Sequence, residues 1–278
     1  MSLQINTNVL ALNAQRNLET VNERLNSTIA RLSSGSRIVH ASDDAAGLAI
    51  SDQINSTTRS LGQAIRNAQD GISLVQVYEG GTTEINTMLM RIRELAMSAA
   101  SDTVGEAERR MLDYEVQNLK QEVDRVAKTT KYAGSELLSG KVIELEFQVG
   151  TSNNPEVDRI RFAPGDTNLT ASALEIGDVE VTEKAHAQES LDQLDIAISK
   201  VNEIRARVGS VQSRLNTTIS SQGVFQENLL AAKSRLRDAD IAVEATNLAK
   251  ESILRKAGVA VLMQANETPT IALQLLRS

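Results

Sequence analysis

LDQLDIAISKVNEIRARVGSVQSRLNTTISSQGVFQENLLAAKSRLRDADIAV, residues 191–243, decides the fold class. Within it Leu194, Ala197, Val201, Ile204, Val208, Val211, Leu215, Thr218, Gln222, Phe225, Leu229, Ala232, Leu236, Ala239 and Val243 recur at alternating spacings of three and four, and only Thr218 and Gln222 are not apolar. That alternation is a heptad seam, the narrow stripe a helix buries against a partner helix. A helix of about 50 residues rises about 75 Å and is marginal unless packed along its length. The chain opens with the same pattern in Ala11, Ala14, Leu18, Val21, Leu25, Thr28 and Leu32. The natural partner of each end is therefore the other end, or the same ends of a neighbouring molecule.

Working outward, the first helical pattern stops at Ser33–Ser34–Gly35, where glycine suits a left-handed cap. Ser42 followed by Asp43 and Asp44 reads as the N-cap and acidic first turn of a second helix. Its apolar positions run through Ile50, Ile54, Leu61, Ile65, Ala68, Ile72 and Val75, then shift register to Tyr78, Ile85, Met88, Ile92 and Leu95. The shift at Gly80–Gly81 predicts a bend or a close contact. A third helix carries Leu112, Val116, Leu119, Val123 and Val126, and ends before Ala133–Gly134.

From Val142 the period falls to two. Ile143, Leu145, Phe147 and Val149 alternate with Glu144, Glu146 and Gln148, a turn-rich cluster follows at Thr151–Pro155, and Ile160 with Phe162 supplies a second strand. Leu174, Ile176, Val179 and Val181 predict one or two more strands bulged at Gly177–Asp178. The expected fold is mainly α: an elongated antiparallel helical bundle with a small β-hairpin region at about 142–181. The termini pair in a discontinuous inner domain of residues 1–40 and 240–278, and residues 41–239 form the middle domain.

Composition agrees with assembly. Aromatic residues make up 2% of the 278, with no Trp, which suits thin bundles of Ala, Leu, Ile and Val. The net charge of −7 is spread along the chain, which excludes the basic face of a nucleic-acid binder. There are no cysteines, as fits the cytosol or a protein secreted unfolded and uncrosslinked. Met1–Asn17 lacks the basic and continuously apolar regions of a Sec-type signal, and the apolar run Ala257–Met263 is too short to span a bilayer. His40 and His186, the only imidazoles, stand in separate segments without a motif, and no phosphate-binding glycine loop precedes a helix. No catalytic, cofactor or metal residue is predicted. Met1–Gln15 has no charged side chain, and Gly258–Leu276 has only Glu267; such ends are an aggregation hazard alone and an interface in an assembly.

The residues resemble one family. INTNVLALNAQRNL (Ile5–Leu18), RLSSGSRI (Arg31–Ile38) and SDDAAGLAIS (Ser42–Ser51) are similar to the N-terminal signature of the bacterial flagellins. ENLLAAKSRLRDAD (Glu227–Asp240), ILRKAG (Ile253–Gly258) and QANETPTIALQLLR (Gln264–Arg277) are similar to the C-terminal one. Departures are mild: Val39 and His40, Ser213, and Glu267 after QAN. The resemblance, which covers roughly 3–140 and 190–277, implies a short flagellin without large outer domains. It implies a filament subunit that self-assembles as a helical homopolymer through Ile5, Val9, Leu12, Leu18, Val21, Leu25, Leu236, Val243, Leu254, Val261, Leu262, Leu273 and Leu276.

It further implies secretion by the flagellar export apparatus and a flagellin export chaperone at the C-terminal helix. Filament cap and hook-junction proteins would be further partners, and the location a flagellum that is extracellular, or periplasmic where flagella are internal. LMRIRELAMSAA (Leu89–Ala100) and YEV (Tyr114–Val116) resemble the flagellin segment contacted by a vertebrate toll-like receptor, with Arg91, Leu95 and Glu115 as the matching positions. A hook-filament junction protein, which shares coiled ends, and a helical-bundle adaptor are the competing readings.

Overall fold

The computed structural model describes residues 8–141, 144–163 and 168–275, with the side chains of 268–275 outside that description. Among the described residues nine elements follow in order: α1 (Val9–Ser34), α2 (Ala45–Ala99), α3 (Glu106–Thr129), β1 (Lys131–Tyr132), β2 (Ser135–Glu136), β3 (Leu145–Gln148), β4 (Arg159–Phe162), α4 (Lys184–Arg237) and α5 (Ile241–Leu275). The fold is mainly helical with two small antiparallel hairpins. Residues 1–56 with 228–278 make one compact unit, and residues 57–227 make the other.

The 57–227 unit holds the main core. Tyr78, Ile85, Leu89, Ile92 and Ala96 of α2 are buried with Val116 and Val123 of α3 and with Leu194, Ala197, Val201, Ile204, Val208 and Leu215 of α4. The heptad seam of α4 is therefore real as far as Leu215. Its two polar positions are half-buried, and Gln222 uses its amide to donate to the Val149 carbonyl at 3.1 Å. The register shift in α2 marks a close approach and no break, since α2 runs unbroken through it. A β-carbon on Gly81 would lie 2.7 Å from Leu138 Cδ1 and from Thr130 Oγ1.

Strands β3 and β4 pair antiparallel with Leu145 opposite Phe162 and Gln148 opposite Arg159, as the alternation predicts. Val142 and Ile143, expected to open that strand, lie outside the described residues. The hairpin is fixed to α2 by its rings: Phe162 meets Tyr78 edge-to-face at 5.1 Å and 87°, a favoured aromatic geometry. The hairpin β1–β2 was not predicted. Its turn places Ala133 at φ 48° and Gly134 at φ 85°, the two positive values of a type I′ turn.

Beside that turn, Glu136 is held by Lys141 at 2.8 Å and Lys131 at 3.4 Å. Hydrogen bonds from Lys141, then Ser139, draw its carboxyl down from 4.5 to about 2. A depressed folded-state pKa stabilises the fold above the unfolded value, and that share is lost as pH falls from about 4.5 through about 2. Glu136→Gln is thus expected to melt below wild type at pH 7 and to converge on it near pH 2, read by thermal circular dichroism; a gap constant over that range would contradict the assignment.

Three expectations are corrected. Residues 174–181 form no strand: the segment closes on itself through Leu174 N to Thr170 O and Ile176 N to Ala171 O, and Glu175 takes a φ of 58°. Several of its other backbone groups are taken by side chains of α3, and Ser190 and Lys200 of α4 donate to the Glu180 and Ala173 carbonyls. Asp124 accepts from Ala171 N, Lys120 donates to the Gly177 and Val179 carbonyls, and Asp113 accepts from Val181 N. Leu174, Ile176, Val179 and Val181 are buried all the same, so the paired β region is 145–162, with no sheet at 174–181.

The helix cap is Asp44, whose carboxylate accepts from Gly47 N at 2.8 Å, while Asp43 accepts from Val39 N and His40 N and closes the preceding turn. Ser42 is not the cap. Finally, α4 stops at Arg237 short of Val243. Ala239 N donates to Gly35 O, Arg37 N donates to Arg237 O, and Asp240 then caps α5 by accepting from Ala242 N and Val243 N. Gly35 has the predicted left-handed conformation, φ 66°.

Candidate assembly interface

In the unit formed by the two ends, α1 and α5 run antiparallel. Asn8 caps α1 by accepting from Ala11 N and donates to the Ala265 carbonyl at 2.7 Å. Farther along, Thr28 meets Glu251 at 3.4 Å and Arg31 meets Glu244 at 3.6 Å. The predicted α1 seam faces inward: Ala14, Leu25 and Thr28 are buried, and Ala11, Leu18, Val21 and Leu32 are half-buried.

Outside that seam the unit is unusually apolar. Val9, Leu10, Leu12 and Ile29 of α1, and Ile241, Val243, Ile253, Leu254, Val259, Val261 and Met263 of α5, are each more than two-fifths exposed. Residues 257–266 contain no charged side chain. A helical stretch without charge on any side, as 257–266 is, favours burial on more than one side, and α1 covers only one face of α5. Patches of this kind mark association surfaces.

The predicted assembly residues divide accordingly. Leu18, Val21, Leu25, Leu236 and Leu262 lie wholly or partly within the subunit, and Val9, Leu12, Val243, Leu254 and Val261 lie on its outer surface. Ile5 and Leu276 fall outside the described residues, and Leu273 is described by its backbone alone. The Asn8 cap and the Glu244 and Glu251 positions were not anticipated. Their signal was the spacing Glu244, Leu248, Glu251, Arg255, Gly258, Leu262, Ala265, which a count of apolar residues passes over.

A second surface lies on α2 and α3. Arg91 pairs with Glu115 at 2.8 Å and with Glu94 at 3.1 Å, both contacts raising its pKa, with Glu115 the larger cause. Arg93 pairs with Asp195 of α4 at 2.6 Å. Leu95 does not share this surface: it is 4% exposed, inside the core, because the excess of four residues over one helical turn rotates it about 40° from Arg91 toward the side of α2 that carries Ile92 and Ala96.

Among the described residues no group of three or more His, Cys, Asp or Glu is arranged to hold a metal ion, and no helix is long and apolar enough to cross a membrane.

Two family profiles match the sequence of this chain. One, described as the bacterial flagellin N-terminal helical region, covers residues 5–142, and the other, the bacterial flagellin C-terminal helical region, covers 191–276. The flagellin of Halalkalibacterium halodurans is 40% identical over 273 residues, 98% of this chain and 99% of that protein. This chain belongs to the bacterial flagellin family. The flagellar filament 33 kDa core protein of Treponema phagedenis is 37% identical over 289 residues, 98% of this chain and 99% of that protein. Among solved structures, Bacillus cereus flagellin superposes with a TM-score of 0.50 at 28% identity, over 56% of this chain and 88% of that one. As a flagellin the chain is a structural subunit that self-polymerises into the flagellar filament.

Proposed function

We propose that this subunit polymerises through the outward faces of α1 and α5, with residues 1–40 and 240–278 as the inner assembly domain and 41–239 as the middle domain. The observation that carries the reading is the row of exposed aliphatics on both terminal helices. Helix breaks at 35–44 and 238–240 support the boundaries. A heterologous contact whose repeat does not close on itself generates an open helical polymer. In the free subunit α1 and α5 order incompletely, and each addition buries them, so ordering is coupled to growth.

The same property serves export. A chain with no cysteine travels unfolded through the flagellar export apparatus, and an export chaperone covers the C-terminal helix until it leaves. Cap and hook-junction proteins receive it at the growing end, outside the cell or in the periplasm. Seeding purified subunit with short filament fragments tests the reading: long tubes of uniform diameter in electron micrographs support it, and amorphous aggregate or persistent monomer contradicts it.

The Arg91–Glu115 surface serves two partners in turn. In the filament it meets a neighbouring subunit, and in the free subunit it is the contact for a vertebrate toll-like receptor. With Leu95 buried, the receptor contact rests on Arg91 and Glu115. Charged interface residues govern specificity and association rate, so Arg91→Asp is expected to weaken binding of the soluble subunit to the receptor ectodomain by about tenfold or more. Binding equal to wild type by surface plasmon resonance would remove the receptor role.

A further inference from the structure

With no cysteine in the chain, oxidation at sulfur falls on methionine alone. Six are present, of which Met1 lies outside the described residues. Met88 is half-buried against the main core, an ordinary place for a flexible apolar side chain. Met90, Met97 and Met111 are instead 45, 50 and 71% exposed. All three belong to the 57–227 unit, whose core is complete without the terminal helices, so their surface is present in the free subunit.

The three sulfurs border one site. Met90 and Met97 lie about two turns apart on one line of α2, with Glu94 between them. The Arg91–Glu115 pair at 2.8 Å and the bond from Arg109 Nε to the Ala99 carbonyl at 2.9 Å lay α3 antiparallel beside α2. That register sets Met111 level with Met97, one turn before Glu115 and one turn before the exposed Tyr114. Thioethers thus edge the ion pairs of Arg91 with Glu94 and Glu115. Clustered exposed apolar side chains mark contact surfaces, and this cluster is continuous with the Arg91–Glu115 surface.

We propose that Met90, Met97 and Met111 form an oxidisable site at which conversion to sulfoxide stops a free subunit from joining the filament. This rests on the reading that the Arg91–Glu115 surface meets a neighbouring copy. The co-reactant is a peroxide. With hydrogen peroxide the thioether sulfur attacks one oxygen, the O–O bond breaks, an S–O bond forms and water leaves. Sulfur gives up two electrons and the peroxide takes them. The product is a polar sulfoxide, whose oxygen accepts hydrogen bonds from water and loses them when a neighbour covers it. Oxidation acts before docking, because a neighbour that covers the three sulfurs also shields them.

Free full-length subunit is treated with dilute hydrogen peroxide, its sulfoxides are mapped by peptide mass spectrometry, and it is added to untreated filament seeds. Each elongation rate is compared with that of the same chain before treatment. Met90, Met97 and Met111 are expected to oxidise ahead of Met88, and wild-type elongation to fall about tenfold or more and to return after repair by methionine sulfoxide reductases of both stereospecificities. Met90→Leu/Met97→Leu/Met111→Leu is expected to hold its own untreated rate through the same exposure, whereas Met263→Leu loses elongation as wild type does. Wild type that carries all three sulfoxides and still elongates at its untreated rate would overturn the oxidisable site. So would equal loss in the triple-leucine chain, or resistance conferred by Met263→Leu, which would move the sensitive sulfur to α5. If the triple-leucine chain does not elongate before treatment, the wild-type and Met263→Leu arms decide. Wild type that never elongates before treatment would strike the assembly reading, and the oxidisable site with it.

Discussion

A chain ending at Gln264 is expected to form no filaments while its 57–227 unit stays folded. The deletion removes Ala265, whose carbonyl accepts from Asn8, and shortens α5 from its end at Leu275. Both the closure of the α1–α5 pair and part of the outward apolar surface are lost. The main core lies between Ala68 and Leu215 and contains no residue of α5. Distant, non-contacting sites contribute additively to within about 0.5 kcal/mol, so the core's melting transition should move little. Circular dichroism with electron microscopy separates the two effects. Normal filaments from the truncated chain would refute assembly through the terminal helices, and a lost core transition would show that the core depends on α5.

The largest loss of stability is expected from Tyr78→Ala. Tyr78 is fully buried in α2 and is the ring against which Phe162 of the β3–β4 hairpin packs. The chain has only three Tyr and three Phe, and apart from Phe162 the buried neighbours are aliphatic side chains too small to fill the gap. Replacing a buried aromatic side chain with alanine costs about 3–5 kcal/mol. For a unit of this size each kcal/mol lowers the melting temperature by about 2–4 °C. Tyr78→Phe retains the ring contact and loses only the hydroxyl's interaction, about 1 kcal/mol. A Tyr78→Ala loss below about 1 kcal/mol in denaturant titration would mean that the hairpin is held by something other than this ring pair.

The parts of this fold that were legible in the sequence are those whose partners impose a local period. The α4 seam through Leu215, the Gly35 cap and the β3–β4 alternation each follow from spacing alone. The segment 174–181 misled because Leu174, Ile176, Val179 and Val181 alternate like a strand, yet Leu174 and Ile176 bond back to Thr170 and Ala171, and Asp113, Lys120 and Asp124 on a helix about 50 to 70 residues earlier hold Ala171, Gly177, Val179 and Val181. Nothing local in 174–181 announces such a partner. The strands β1 and β2 are two residues each, too short for a period to exist, and only Ala133–Gly134 hinted at their turn.

The interface was legible in one respect and hidden in another. Scarcity of charge near both ends points to burial by neighbours, and α1 and α5 carry exposed aliphatic side chains on which the proposed interface rests. Which face of α5 turns inward was hidden, because heptad reading ranks faces by apolar content and Glu244 and Glu251 occupy the inner one. Leu95 was placed beside Arg91 because matched positions in a sequence do not distinguish the exposed side of a helix from its core side.

Hydrogen exchange compared between free subunit and filament tests the central claim most directly. Coupled ordering predicts that amides of 9–34 and 241–264 exchange rapidly in the subunit and become strongly protected in the filament, whereas the buried core helices of 57–227 are protected in both. Terminal helices already protected in the free subunit, or a gain of protection confined to 57–227, would contradict it.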